Sequence, residues 1–296
     1  MAARNELPEP IGVRPFTTAE ARLAGVSRHV LERPVLTRLT RGVRVAGPPD
    51  RLRTRLAGLR LVLPADAMFG CETSALAWGL KLPDIGRDGR DGLVHVRSSL
   101  QVRRNGVVAH RGPVPPHVDQ GGLPVASPLE TFLDLAMHLS DRWLLACGDG
   151  IVKRGYASVP ELVAAVNATS RRRGLPRARR IAPLVRADVA SPMESILRLI
   201  LIRAGLPEPL INRDVFDDGG EWIACPDLSY PDIGLALEFD GQHHLTDPRQ
   251  WESDIRRRQN LEDFGWTVRI VTASDLFLRP ARLASDMVAL WNRLAG

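Results

Sequence analysis

The chain has 296 residues, 44% hydrophobic and 25% charged, which excludes general disorder and leaves room for two or three small domains. Forty basic residues against 34 acidic ones leave a formal charge of +6, which permits a polyanionic partner without requiring one. Cys71, Cys147 and Cys225 are isolated and odd in number, the longest apolar runs, such as Leu199 to Ile202, are too short to span a bilayer, and the N-terminus lacks a secretion signal; a soluble cytoplasmic protein without a disulfide framework is expected.

Residues 1–15 read as a poorly ordered lead-in. Thr17 to Gly25 predicts a short capped helix ending at glycine, and Ser27 caps a second helix extending through Leu39, with Pro34 interrupting the pattern. The tight Gly25-Val26 junction suits a helix-turn-helix, and Arg41 to Val45 reads as the small strand of a wing. Leu23, Val26, Val30, Leu36 and Leu39 are the expected core. This stretch, residues 1–47, resembles the degenerate winged-helix module that precedes nuclease-like domains and occurs in the abortive-infection type IV antitoxin family. The resemblance implies DNA phosphate contacts from Arg28, Arg38 and Arg41, with His29, Arg33 and Arg44 nearby. Protein contact or a structural cap is the alternative.

Residues 48–168 read as an α/β connector, similar to the central part of those antitoxin-like proteins. Helices are expected over Arg51 to Leu61 and Asp66 to Leu80, strands over Leu93 to Val96 and Val107 to His110, a helical surface over Leu129 to Leu145, and a helix over Val159 to Ala168. Glu72 reads as a helix-surface or capping residue. His95, His110 and His117 lack the spacing of a zinc motif and are expected in structural or surface roles. Residues 169–189 form the densest basic tract: Arg171, Arg172, Arg173, Arg177, Arg179, Arg180 and Arg186 follow one another with no acidic residue between them until Asp188. Such a tract predicts salt-sensitive phosphate binding; a solvated helix hairpin is the plainer reading.

The acidic residues of segment 190–296 fall at the ends of apolar runs. Ser191-Pro192 caps a helix from Met193 to Ile202 with Glu194 in its first turn, either a member of the acidic site or a helix-dipole partner. Trp222 to Cys225 reads as a strand leading into Pro226-Asp227, and Tyr230 to Gly234 as a hairpin turn. On the returning strand Leu235, Leu237 and Phe239 share one face, and Ala236, Glu238 and Asp240 the other. Three carboxylates, Asp227, Glu238 and Asp240, would raise one another's pKa unless a cation compensates, and hard oxygen donors of this kind suit Mg²⁺ or Mn²⁺. A helix from Arg249 to Phe264 follows, packed through Trp251, Ile255 and Leu261, with Asp254 one turn before Arg257 or Arg258; Gly265 stops it and Trp266 to Val271 returns to the sheet.

This pattern, from about Ala190 to Ala295, resembles the PD-(D/E)xK restriction-endonuclease-like superfamily, and within it the small DUF559-type nuclease-like domains related to the very short patch repair endonucleases. Pro226-Asp227 and Glu238-Phe239-Asp240 stand at the signature positions, with Asp240 replacing the usual lysine. The resemblance implies a metal-dependent DNA endonuclease in which Asp227, Glu238 and Asp240 hold the ion, Glu194 assists, and His244 rather than His243 supplies the basic group. Arg257 would position phosphate, with Arg256, Arg258 and Gln259 gripping the backbone. A noncatalytic DNA-binding or antitoxin-like regulator retaining the nuclease fold is the alternative; a homo-oligomer or a protein partner in a defence system is a third possibility.

Overall fold

The computed structural model describes residues 7–9, 11, 13–47, 52–83, 92–240 and 248–296, with side chains from residue 256 onward in the last segment. The chain is mixed α/β and divides into two compact units, Met1–Met137 and His138–Gly296. Among the described residues no helix is long and apolar enough to cross a membrane.

The first unit begins with strand β1 (Phe16–Thr17), helices α1 (Thr18–Leu23) and α2 (Arg28–Leu31), and strands β2 (Leu36–Thr40) and β3 (Val43–Ala46), the strands forming an antiparallel sheet in the order β1-β3-β2. Thr17 Oγ1 caps α1 by accepting from Glu20 N at 3.0 Å, and Ser27 Oγ caps α2 by accepting from Val30 N at 3.4 Å. The helix expected through Leu39 stops at Leu31. Pro34 has no N–H to continue it and biases Arg33 away from helical backbone, and Leu36 to Thr40 instead pairs with β3 around Gly42, whose φ is +81°. Arg38 therefore lies on a strand and Arg41 in the turn after it. Ile11, Phe16, Ala21, Val26, Val30, Leu31 and Leu36 form the core, whereas Leu23, expected inside, is 88% exposed.

Helix α3 (Leu52–Arg60) packs on β2 and β3. A Cβ at Gly58 would lie 2.5 Å from Leu39 Cδ1, so a larger residue there would require the Leu39 side chain to move. A five-stranded sheet follows in the order β6-β5-β4-β8-β7, built from β4 (Met68–Phe69), β5 (Val94–Ser98), β6 (Val107–Arg111), β7 (His117–Asp119) and β8 (Pro124–Ala126). Helices α4 (Cys71–Ala77) and α5 (Pro128–Leu135) pack together beside it. The helix expected over Asp66 to Leu80 is thus a short strand followed by a shorter helix, because Met68 and Phe69 pair with Arg97 and Val96.

The second unit opens with α6 (Asp141–Lys153), α7 (Val159–Ala168) and α8 (Leu175–Ile181), so two helices expected in the connector belong with the C-terminal strands. α6 packs along α9 (Pro192–Arg203). Between them Arg198, fully buried, donates from Nη2 to Asp149 Oδ2 at 3.0 Å and from Nη1 to Glu208 Oε1 and Leu184 O at 2.7 and 2.8 Å. Burial holds the Asp149 carboxyl above the ordinary range despite the facing guanidinium.

Strands β9 (Leu210–Ile211), β12 (Leu228–Tyr230), β13 (Leu235–Asp240) and β14 (Thr267–Thr272) form a sheet in the order β14-β13-β12-β9. β13 runs antiparallel to β12 and parallel to β14, which α10 (Pro248–Asp263) connects to it. The hairpin partner of β13 is therefore Leu228–Tyr230; the earlier strand β11 (Trp222–Ala224) pairs instead with β10 (Val215–Phe216). The period-two pattern of β13 holds on both sides. Leu235, Leu237 and Phe239 pack with α9, α11 (Ala273–Phe277) and α12 (Pro280–Ala295), while Ala236 packs with Leu261 of α10 and with β10 and β11. Trp291 meets Tyr230 edge to face at 4.9 Å and closes the α12 side of this core.

Replacing Asp149 by Ala removes the buried one of the two carboxylates that pair with Arg198 and is expected to cost about 3 kcal/mol in urea unfolding of the second unit. The double variant D149L/R198M should recover most of that loss, since it removes both charges.

Candidate active site

Four charged side chains meet near the start of β12 and the end of β13, each delivered by a different element. Ser191 caps α9 by accepting from Glu194 N at 3.3 Å, and Pro192 fits the first turn, where its missing N–H costs nothing. This start fixes Glu194, which is only 4% exposed and whose Oε2 accepts from Ala190 N at 2.8 Å and Asn212 Nδ2 at 2.9 Å. The carboxylate is thus turned inward as well as standing at a helix N-terminus.

Asn212 joins this group without being marked as a site residue by the sequence. It holds a left-handed backbone at φ +46°, which asparagine tolerates better than most residues, and its N–H donates to Asp227 O at 3.0 Å. One side chain and its own backbone therefore tie Glu194 to Asp227. The only signal in the sequence is an Asn immediately after a two-residue strand, which reads equally well as an ordinary turn.

Asp227 sits in the bend before β12, and its Oδ2 accepts from Phe239 N of β13 at 2.8 Å. Burial raises its pKa to about 6; the Phe239 N–H opposes this, the charges of Glu194 and Glu238 push it further up, and Arg257 pulls it down. Glu238, 2% exposed, faces α10. Arg257 Nε lies 2.8 Å from its Oε1 without hydrogen-bond alignment, Arg257 Nη2 donates to Oε2 at 3.2 Å, and Arg258 Nε is 3.5 Å from Oε2.

Glu194, Asp227, Glu238 and Arg257 are thus brought together. Asp240, partly exposed at the end of β13 and level with Thr272 of β14, shares the strand face of Glu238. Among the described residues these carboxylates do not gather three donor atoms within 4.8 Å of one another. Glu238 instead spends its charge on two arginines of α10. His243 and His244 lie outside the described residues, as does the side chain of Asp254, so the expected Asp254–Arg257 pair belongs there too.

The arginines expected to bind phosphate fall into distinct settings. Arg38 and Arg41 line a cleft of about 890 Å³ together with Arg103 and Arg104, two residues in a loop before β6 that no sequence motif marks. Arg104 Nη1 donates to Arg41 O at 2.9 Å, fixing the two loops to each other. Arg28 is exposed and paired with Glu32 at 2.7 Å, and that pairing raises its pKa. Within the basic tract, Arg177 and Arg180 reach Asp141 at 3.0 and 3.4 Å, Arg203 also pairs with Asp141, and Arg179 donates to Thr169 O at 3.3 Å. Part of that tract therefore anchors α8 to the start of α6. Arg171 and Arg173 are exposed, Arg172 is half-buried, and Arg256 is exposed on α10.

No family model matches the chain, and no solved structure matches it. Two uncharacterized proteins of Mycobacterium tuberculosis, one from strain CDC 1551 / Oshkosh and one from strain ATCC 25618 / H37Rv, are each 28% identical over 259 residues, covering 87% of this chain and 93% of theirs.

The raised pKa of Asp227 has a signed consequence. The folded state binds the Asp227 proton more tightly than the unfolded chain, so this contribution to stability is full below the ordinary value of 3.8 and is lost as pH rises through about 6. D227N, which keeps an acceptor for Phe239 N, is expected to be more stable than the parent at neutral pH by on the order of 2 kcal/mol. The gap should close in acid, as read by urea unfolding across a pH series.

Proposed function

We propose that the chain is a metal-dependent DNA endonuclease of the restriction-endonuclease-like type, with Asp227 at the centre of its site. The observation that carries this reading is the burial of Asp227 beside Glu194 and Glu238: burial raises its pKa to about 6, and the two neighbouring carboxylates push it further up against the opposing charge of Arg257. The order of elements supports it as well, with α9, then β9, β12 and β13, then α10 crossing over to the parallel β14. The N-terminal helices and three-stranded sheet are read as a reduced winged helix.

The donor set fits Mg²⁺ or Mn²⁺ in kind, since carboxylate oxygens are the hard ligands these ions prefer. Asp227 and Glu238 would hold the ion, with Asp240 contributing from the same strand face and Glu194 in support. A bound ion would supply Lewis acidity to a water and to the scissile phosphate. Arg257 and Arg258 bring positive charge to this edge of the sheet, where a DNA backbone also needs it. Asp240 replaces the signature lysine and cannot donate positive charge, so the basic role passes to His244, four residues further on. Arg38, Arg41, Arg103 and Arg104 form the best-defined phosphate surface, to which Arg28, Arg171, Arg172, Arg173, Arg179, Arg180 and Arg256 add charge.

A second reading is a noncatalytic DNA-binding regulator that retains the fold. It is favoured by the pairing of Glu238 with both Arg257 and Arg258, which neutralises that carboxylate without any ion.

Cleavage of supercoiled and linear DNA with Mg²⁺ or Mn²⁺ separates the two. The endonuclease reading expects ion-dependent cleavage that falls at least about a hundredfold in D227A and E238A. Unchanged cleavage in both variants overturns it, and salt-sensitive binding without cleavage by the parent protein selects the regulator. On either reading, R103A/R104A should weaken DNA binding and make the slope of log K against log salt shallower by about 0.9 for each phosphate that is no longer neutralised.

A further inference from the structure

We propose that the first unit carries a separate site for a thiophilic transition metal of the zinc class, held by Cys71, His95 and His110. Nothing in this inference depends on the nuclease reading. By spacing alone these residues take ordinary structural roles, because 24 positions separate Cys71 from His95. The fold removes that separation.

β5 and β6 run parallel with Arg97 level with His110, so His95 and His110 lie two residues out of register on one face of the sheet. Their rings stack at 5.3 Å between centroids with 20° between planes, and His95 Nδ1 stands 3.0 Å from His110 Nε2. Cys71, the first residue of α4, places its Sγ 3.7 Å from the same His110 nitrogen. All three donor atoms lie within 4.8 Å of one another. With Zn–N of about 2.0 to 2.1 Å and Zn–S of about 2.3 Å, a tetrahedral site spaces its ligands about 3.3 Å apart for N to N and about 3.6 Å for N to S. The separations of 3.0 and 3.7 Å are close to those edges.

Two further observations point to an ion rather than to a simple hydrogen-bonded histidine pair. Glu72 Oε2 is buried without a hydrogen-bond partner and stands 3.3 Å from His95 Nδ1, so a fourth electron-pair donor sits at the edge of the group. Cys71 also adopts φ +52°, a backbone that costs a non-glycine residue about 1 to 2 kcal/mol. That conformation is held by Cys71 N donating to Asp134 Oδ2 at 3.2 Å, and Asp134 is in turn paired with Arg97 of β5. The fold therefore fixes the thiol against the two imidazoles at some cost to the backbone.

Thiol and imidazole donors select zinc-class ions over Mg²⁺, so this site and the carboxylate site differ in the metal they accept. Glu72 and His95 also line a cleft of about 530 Å³ with Arg55 and Lys81, which opens a route for the ion and for a fourth ligand, the Glu72 carboxylate or a water. Binding the ion would release the thiol proton to solvent, so affinity should rise with pH.

The test is a Co²⁺ titration of the chelator-stripped full-length chain, followed by its absorption spectrum. One equivalent is expected to give thiolate-to-cobalt charge transfer and tetrahedral ligand-field bands, with Zn²⁺ displacing the cobalt. C71S should lose the charge-transfer band, H110Q should weaken cobalt binding at least tenfold, and C147S, C225S and D227N should keep the full spectrum. Circular dichroism checks that each variant is folded, and H110Q, at a partly exposed position, serves if C71S does not fold. Absence of the spectrum in the parent protein, its persistence in folded C71S, or unchanged affinity in folded H110Q overturns the proposal.

Discussion

A carboxylate on a strand covered from both sides has to find positive charge or take up a proton, and the second unit is arranged around that constraint. β13 is sandwiched between the α9, α11 and α12 cluster on one face and Leu261 with β10 and β11 on the other. Glu238 projects into the latter layer, where Arg257 and Arg258 reach it from α10. Asp227 receives less compensation, one backbone N–H and the more distant charge of Arg257, and its pKa rises accordingly. Arg198 presents the same problem with the sign reversed, and Asp149 and Glu208 resolve it by joining α6, α9 and the segment before β9.

The two candidate metal positions separate by donor chemistry. The C-terminal group offers carboxylate oxygens and already carries arginine counter-charge, so an ion there must compete with two guanidinium groups for Glu238. The group in the first unit offers sulfur and imidazole nitrogen, with Arg97 directed at Asp134 behind the thiol rather than at the ligands. Carboxylate oxygens would suit hard ions and the sulfur and nitrogen donors zinc-class ions, with the supply of each metal also deciding which one a site takes.

Arginine is used here as much for construction as for surface charge. Arg177, Arg180 and Arg203 all converge on Asp141, and Arg186 pairs with Glu208. Counting basic residues along 171–186 overstates the charge left for a polyanion, because the acidic partners, Asp141 and Glu208, lie outside that stretch of the sequence. The cleft lined by Arg38, Arg41, Arg103 and Arg104 shows the converse, four cations gathered from two stretches far apart in the sequence.

The sequence by itself determined whatever depends on near neighbours: the capped start of α9, the span Val159–Ala168 of α7, the alternation along β13, and the placing of Glu238 and Asp240 on one strand face. These follow from local hydrogen bonds and from the period of the side chains, which a linear reading can see. Tertiary structure alone decided that Leu228–Tyr230 rather than Trp222–Ala224 pairs with β13, that Asn212 links Glu194 to Asp227, that Leu36–Thr40 is a strand, and that His95 meets His110. Each of these rests on a partner distant in sequence, and strand register and convergent side chains are set by which surfaces bury each other, information that no single stretch contains.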